Sequence, residues 1–217
     1  MTDGPSIPPP PPSGGNSSLV NRVINILTKP ASEFQAIDAE QTSPAKLITG
    51  YAAILAALAP IFAFLYILIS GASGLFFHMP LLLIMTLVLS YVMALAVPVA
   101  VGFIMDALTP QLGGTKGNNN AMKLVIYSGT AYWVGAVGLI LSPWLWLVIG
   151  LGYTGYLLWV GTPILMKTAA DKTPVFVGAT IGIWVVVYAI LNVIFQNILG
   201  NMLANALMGA MRSAYGI

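Results

Sequence analysis

The chain has no cysteine, one histidine (His78) and few charges: only 6% of its 217 residues are Asp, Glu, Lys or Arg. Without cysteine there is no disulfide framework, thiolate nucleophile or cysteine metal site, although that absence is compatible with any compartment. A lone histidine with no neighbouring carboxylate or cysteine is not a metal site, so His78 reads as an exposed loop residue. The shortage of charge excludes more. Soluble domains carry roughly 25% charged residues. A chain that is 58% hydrophobic lacks the polar surface to stay dispersed in water. Its lysines stand singly at helix ends, which is not the clustered patch of a nucleic-acid surface, so no nucleic-acid partner is expected.

The charges that are present mark topology. Of eight Lys and Arg residues, Arg22, Lys29 and Lys46 precede the first long apolar run. Lys116 and Lys123 lie between the second and third runs, and Lys167 and Lys172 between the fourth and fifth; only Arg212 follows the last. Cytoplasmic loops carry the excess of Lys and Arg. The pattern therefore predicts a multi-pass protein with a cytoplasmic N-terminus, a non-cytoplasmic C-terminus and the lipid bilayer as its first partner. The fold class is all-α, a polytopic membrane bundle of five transmembrane helices with an N-terminal amphipathic segment. If the chain is prokaryotic, the membrane is the cell inner membrane.

Four segments follow. Residues 1–17 are Pro, Gly and Ser rich, with the run Pro8 to Pro12, and lack the basic start and apolar core of a signal peptide. They read as a disordered or polyproline spacer, with a ligand for an aromatic-groove domain as the other reading. Residues 18–43 form an amphipathic unit. Ser18 caps a helix whose apolar stripe is Leu19, Val23, Ile26 and Leu27. Pro30 ends that helix and starts a second, carrying Glu33, Phe34 and Ile37. With few cations, the unit is expected to dock on the bundle rather than on anionic lipid.

Residues 44–199 hold the spans, expected at Leu47–Ser70, Leu81–Leu108, Leu124–Leu141, Trp144–Met166 and Val175–Leu199, set against the roughly 20 apolar residues a crossing needs. Ser43 and Pro44 start the first, and bends are expected at Pro60 and Pro98. Ser142-Pro143 forces a tight hairpin that places Trp144 and Trp146 at the outer interface. Residues 200–217 form a helix-like tail that prolongs the fifth span or lies along the surface, with Asn197, Asn201 and Asn205 on one face.

Gly150, Gly152 and Gly155 spell a G-x-G-x-x-G, but mid-span they lack the strand that a dinucleotide loop requires. Close helix packing is the better reading, as for Gly178 and Gly182, either within one chain or between copies of a homo-oligomer. Catalysis would want paired carboxylates, or a nucleophile beside a base, at membrane depth. The expected span interiors contain no Glu, His, Lys or Arg and one Asp, so neither an enzyme nor a cofactor is expected. That residue, Asp106, sits at a helix C-terminal end where the macrodipole disfavours a carboxylate, and such groups need a partner. Lys116, Lys123 and Lys167 are the candidates. With Tyr127, Tyr153 and Tyr156 they form a candidate polar cluster, functional or structural, at the cytoplasmic edge; the tyrosines are expected to pack their rings and hydrogen-bond neighbouring helices.

The segment Asp106-Ala-Leu-Thr-Pro, Gly113-Gly114, Lys116, Ala121-Met-Lys123 and Tyr127 resembles the second loop of the Ypt-interacting protein (Yip) family, closest to its prokaryotic branch. Tyr153, Tyr156-Leu-Leu, Gly161, Pro163, Leu165-Met-Lys167 and Asp171-Lys172 resemble its fourth span, and Asn25 to Pro30, Glu33-Phe34, Ile37 and Gly50-Tyr51 its opening. The resemblance implies a five-span bundle with a cytoplasmic N-terminus. Eukaryotic members associate with small GTPases in vesicle traffic. Two function classes result: a non-enzymatic scaffold offering its cytoplasmic face to protein partners, or a small-solute channel, transporter or lipid-handling protein.

Overall fold

The computed structural model describes residues 18–71, 73–74, 79–117 and 119–215; of 206, 210 and 213–215 it describes the backbone alone. The Pro-rich tail and His78 lie outside the described residues. Two short helices come first, α1 (Leu19–Thr28) and α2 (Pro30–Ala39). Ser18 Oγ accepts the Asn21 N–H and caps α1. Pro30 then opens α2 at a position whose N–H needs no intrahelical partner.

Five helices long and apolar enough to cross a membrane follow: α3 (Pro44–Ile69), α4 (Pro80–Leu108), α5 (Asn120–Ile140), α6 (Pro143–Leu165) and α7, which begins at Thr173. In α3, Ser43 Oγ accepts the Lys46 N–H at the start, and residues Ile48–Ala52 wind as a π-helix. The helix breaks at Ala57, three residues before Pro60. Pro60 supplies no N–H to the Ala56 carbonyl and its ring crowds that turn, so the expected bend appears as an interruption. Pro98 behaves differently, for α4 runs through it unbroken. Neighbouring helices make such a proline tolerable within a membrane bundle.

The third membrane helix is the axis of the fold. Of its 18-residue window 72% is buried, against 17–33% for the other four, although its mean hydropathy of 1.3 is the lowest. That pairing is physically consistent, because a helix shielded from lipid can carry polar groups that its neighbours satisfy. It touches all four other spans. Tyr51 of α3 bonds Thr130 at 2.7 Å, and Trp133 Nε1 donates to Ala94 O of α4 at 2.9 Å. Against α6 the approach is backbone to backbone, since a Cβ at Gly135 would stand 3.0 Å from Gly150 Cα. A Cβ at Gly129 would meet Trp184 of α7 at 3.4 Å.

Several expectations need correction. The third span starts at Asn120, not Leu124, so Lys123 lies inside a helix rather than in a loop. Trp144 is exposed, but Trp146 turns inward and donates its indole N–H to Tyr132 O. Of the presumed packing glycines, Gly150 is in close contact, whereas Gly152, Gly178 and Gly182 have nothing within 4 Å of an added Cβ. The tail, by contrast, takes one of its two expected courses: α7 is continuous for 43 residues to Tyr215, about 65 Å at 1.5 Å per residue, so as far as Tyr215 it prolongs the fifth span.

Candidate functional site

The ends of the bundle differ. One, here the basic end, gathers the starts of α3, α5 and α7, the ends of α4 and α6, and the α1–α2 hairpin. The hairpin is packed into the bundle. Ile26, Phe34 and Ile37 are fully buried, and Leu19, Val23 and Leu27 pack against the same core. Gly161 of α6 makes this possible, because a Cβ there would stand 2.7 Å from Leu124 Cδ1 and 2.9 Å from Phe34 Cζ.

The polar residues at this end close the hairpin over the bundle. Lys123 is wholly buried and donates to the Ile37 carbonyl at 3.1 Å and the Glu40 carbonyl at 2.5 Å. These carbonyls belong to the C-terminal end of α2, where partners are otherwise lacking and the dipole favours a cation. Lys167 pairs with Asp38 and donates to the Ile164 carbonyl at 2.6 Å. It sits at φ 53°, the left-handed conformation that ends α6 and that usually selects glycine. Asn120 donates to the Leu165 carbonyl at 2.8 Å and to Asp38 at 3.3 Å. Tyr153 donates to the Leu27 carbonyl at 2.6 Å, tying α6 to α1. Four side chains thus satisfy carbonyls at the ends of α1, α2 and α6.

Arg22 completes the clasp. Its guanidinium lies 2.9 Å from Glu33, is hydrogen-bonded to Glu40 and stands over the Tyr127 ring at 5.7 Å. Burial pulls Arg22 down, but the hydrogen bond to Glu40 and the negative charges of Glu40 and Glu33 outweigh it and hold the group above its ordinary value. Tyr127 meets Tyr51 edge-on, with ring centroids 4.8 Å apart, an arrangement aromatic quadrupoles favour.

Asp106 finds Lys116, 2.9 Å away, with side chains 36% and 53% exposed. Lys123 and Lys167 do not approach it, having taken the partners above. The Asp106 pair therefore lies apart from the clasp, and Tyr156, 48% exposed and beside Tyr153 at 5.3 Å, belongs to neither. In the same loop Gly113 adopts φ 77°. At Gly114 an added Cβ would stand 3.0 Å from Thr109 Cγ2 and 3.2 Å from Phe176, so both glycines have a backbone reason. Asp38, Asn120, Arg22 and Glu40 were not among the candidates. The available signal was that Glu33, Asp38 and Glu40, half of the chain's six acids, fall within eight residues beside the first cations.

Among the described residues no group of three His, Cys, Asp or Glu side chains is gathered so as to hold a metal ion. No curated protein and no solved structure matches the chain significantly. A family model described as the Yip1 domain matches residues 24–194, from the middle of α1 deep into α7. A multi-pass membrane protein with five spans and this match over most of its length belongs to the Yip1-domain family.

Proposed function

We propose that the protein is a non-enzymatic membrane scaffold that offers its basic end to protein partners, with that end and the N-terminus on the cytoplasmic side. The observation that supports this most is the clasped hairpin. A helical unit held this firmly presents a fixed outer surface, and on it Val20 and Ile24 are 61% and 50% exposed beside the exposed Lys29. Apolar anchors next to a cation on a rigid element suit recognition of another protein. Most of the candidate polar groups at this end are engaged in holding the hairpin, and Asp106 and Lys116 pair with each other. The distribution of Lys and Arg supports the orientation, and trafficking-type partners are suggested by the family alone.

The test is photocrosslinking in native membranes, with the crosslinker placed at Val20 or Ile24 of the full chain. Discrete protein adducts at both positions are expected, and adducts to lipid alone would overturn the scaffold reading. Because the chain has no cysteine, single cysteines at Lys29 and Arg212 report orientation on a clean background. Labelling by an impermeant reagent from the outside is expected at 212 and not at 29.

A further inference from the structure

A cavity of about 250 Å³ lies between all five spans, about 20–30 Å along α3 and α7 from the basic end at 1.5 Å per residue. Small side chains create it. Ala59 and Ala63 of α3, Ala94 of α4 and Ala136 of α5 face a space that larger residues would fill. Among the described residues its walls carry no Asp, Glu, Lys, Arg or His, so none of them compensates a charged guest at membrane depth. The polar groups on its walls fall into two sets. Ser90 Oγ, Trp133 Nε1 and Trp146 Nε1 already donate to backbone carbonyls, at 2.8 Å, 2.9 Å and 3.2 Å. Tyr132, Tyr188 and Asn192 line the same space but make no side-chain hydrogen bond among the described residues. Tyr188 is 40% exposed, so the cavity opens to the flank of the bundle, where lipid lies.

We infer that this cavity is a binding site for an uncharged lipophile bearing a hydroxyl or carbonyl oxygen, entering from the bilayer. Each feature selects for that class. Only a hydrocarbon-soluble molecule has ready access through the flank. The apolar walls take its chain or ring, and a dry apolar cavity of 150 Å³ already admits benzene. The phenols of Tyr132 and Tyr188 offer donors and acceptors, and the Asn192 amide offers two donors and an acceptor. Three such groups in a hydrocarbon setting are costly while unpaired, and a guest oxygen hydrogen-bonds them without bringing a charge. The site is separate from the clasp and does not depend on the scaffold reading.

The experiment uses the full chain in lipid nanodiscs and a diazirine-bearing hexadecanol as probe, with adducts mapped by peptide mass spectrometry. Saturable labelling is expected on the peptides carrying Ala59–Ala63, Tyr132–Ala136 and Tyr188–Asn192. Unlabelled hexadecanol should compete better than hexadecane. Ala63→Phe, which fills the space, should abolish the saturable part. Asn192→Leu with Tyr188→Phe keeps the volume and removes hydrogen-bonding groups. It should cut the preference for alcohol over alkane about three- to tenfold, the range for one neutral hydrogen bond. Labelling spread over all lipid-facing helices in proportion to exposure would overturn the site. Equal competition by alcohol and alkane, or an unchanged preference in the double variant, would overturn the assigned ligand class.

Discussion

The basic end and the cavity half of this bundle treat their few polar residues in opposite ways. At the basic end Lys123, Lys167, Asn120, Tyr153 and Arg22 all have partners on the hairpin or at helix termini, with Asn120 Oδ1 the one atom among them left buried and unpaired. In the other half Tyr132, Tyr188 and Asn192 line open space. The difference shows that polarity in a membrane bundle is no guide to function until its partners are known. A wholly buried lysine, which looks functional by its rarity, is here a helix cap, while a neutral asparagine on an apolar wall is the better candidate for a ligand contact.

Substitutions sharpen that comparison. The largest effect is expected from Lys123→Met, which leaves the buried Ile37 carbonyl and the part-buried Glu40 carbonyl without their donor. A loss of about 3 kcal/mol follows from removing charged hydrogen bonds and stranding their acceptors, measurable by unfolding in detergent. Gly161→Ala should cost about 1–3 kcal/mol through overpacking against Leu124 and Phe34, with increased protease sensitivity at residues 30–40. Asn192→Leu in the other half has the opposite sign. It removes a polar group without a protein partner from an apolar wall, so stability should rise by about 1 kcal/mol in ligand-free protein; a loss comparable to Lys123→Met would show that the two halves do not differ as described. Asp106→Asn is the smallest, within about 0.5 kcal/mol and vanishing at high salt, because its pair with Lys116 is exposed.

The architecture was legible because each lipid-facing span must be apolar for about 20 residues and because helix starts carry their own signals: Ser18, Ser43 and Pro30 all cap or open helices as their chemistry suggests. The site was legible only in part, and Lys123 shows why. Read as a charged residue it belonged in a loop, and hydropathy moved the start of the third span to Leu124. Its true place depends on carbonyls contributed from more than eighty residues earlier, a non-local contact that no local pattern records. For the same reason Lys167 was a candidate for Asp106 although Asp38, far away in sequence, holds it. Trp146 was placed at the interface by residue type, yet the glycines of the third span bring the two backbones so close that its indole meets Tyr132.

The central claim is that the polar residues of the basic end form a clasp holding the α1–α2 hairpin on the bundle. Hydrogen–deuterium exchange of the full chain, comparing the native sequence with Lys123→Met, tests it directly. Loss of the buried cap should speed exchange of the backbone amides of residues 30–40 and leave those of α4 and α7 unchanged. Unaltered protection of α2 in the variant would contradict the clasp and return Lys123 to the list of groups in search of a function.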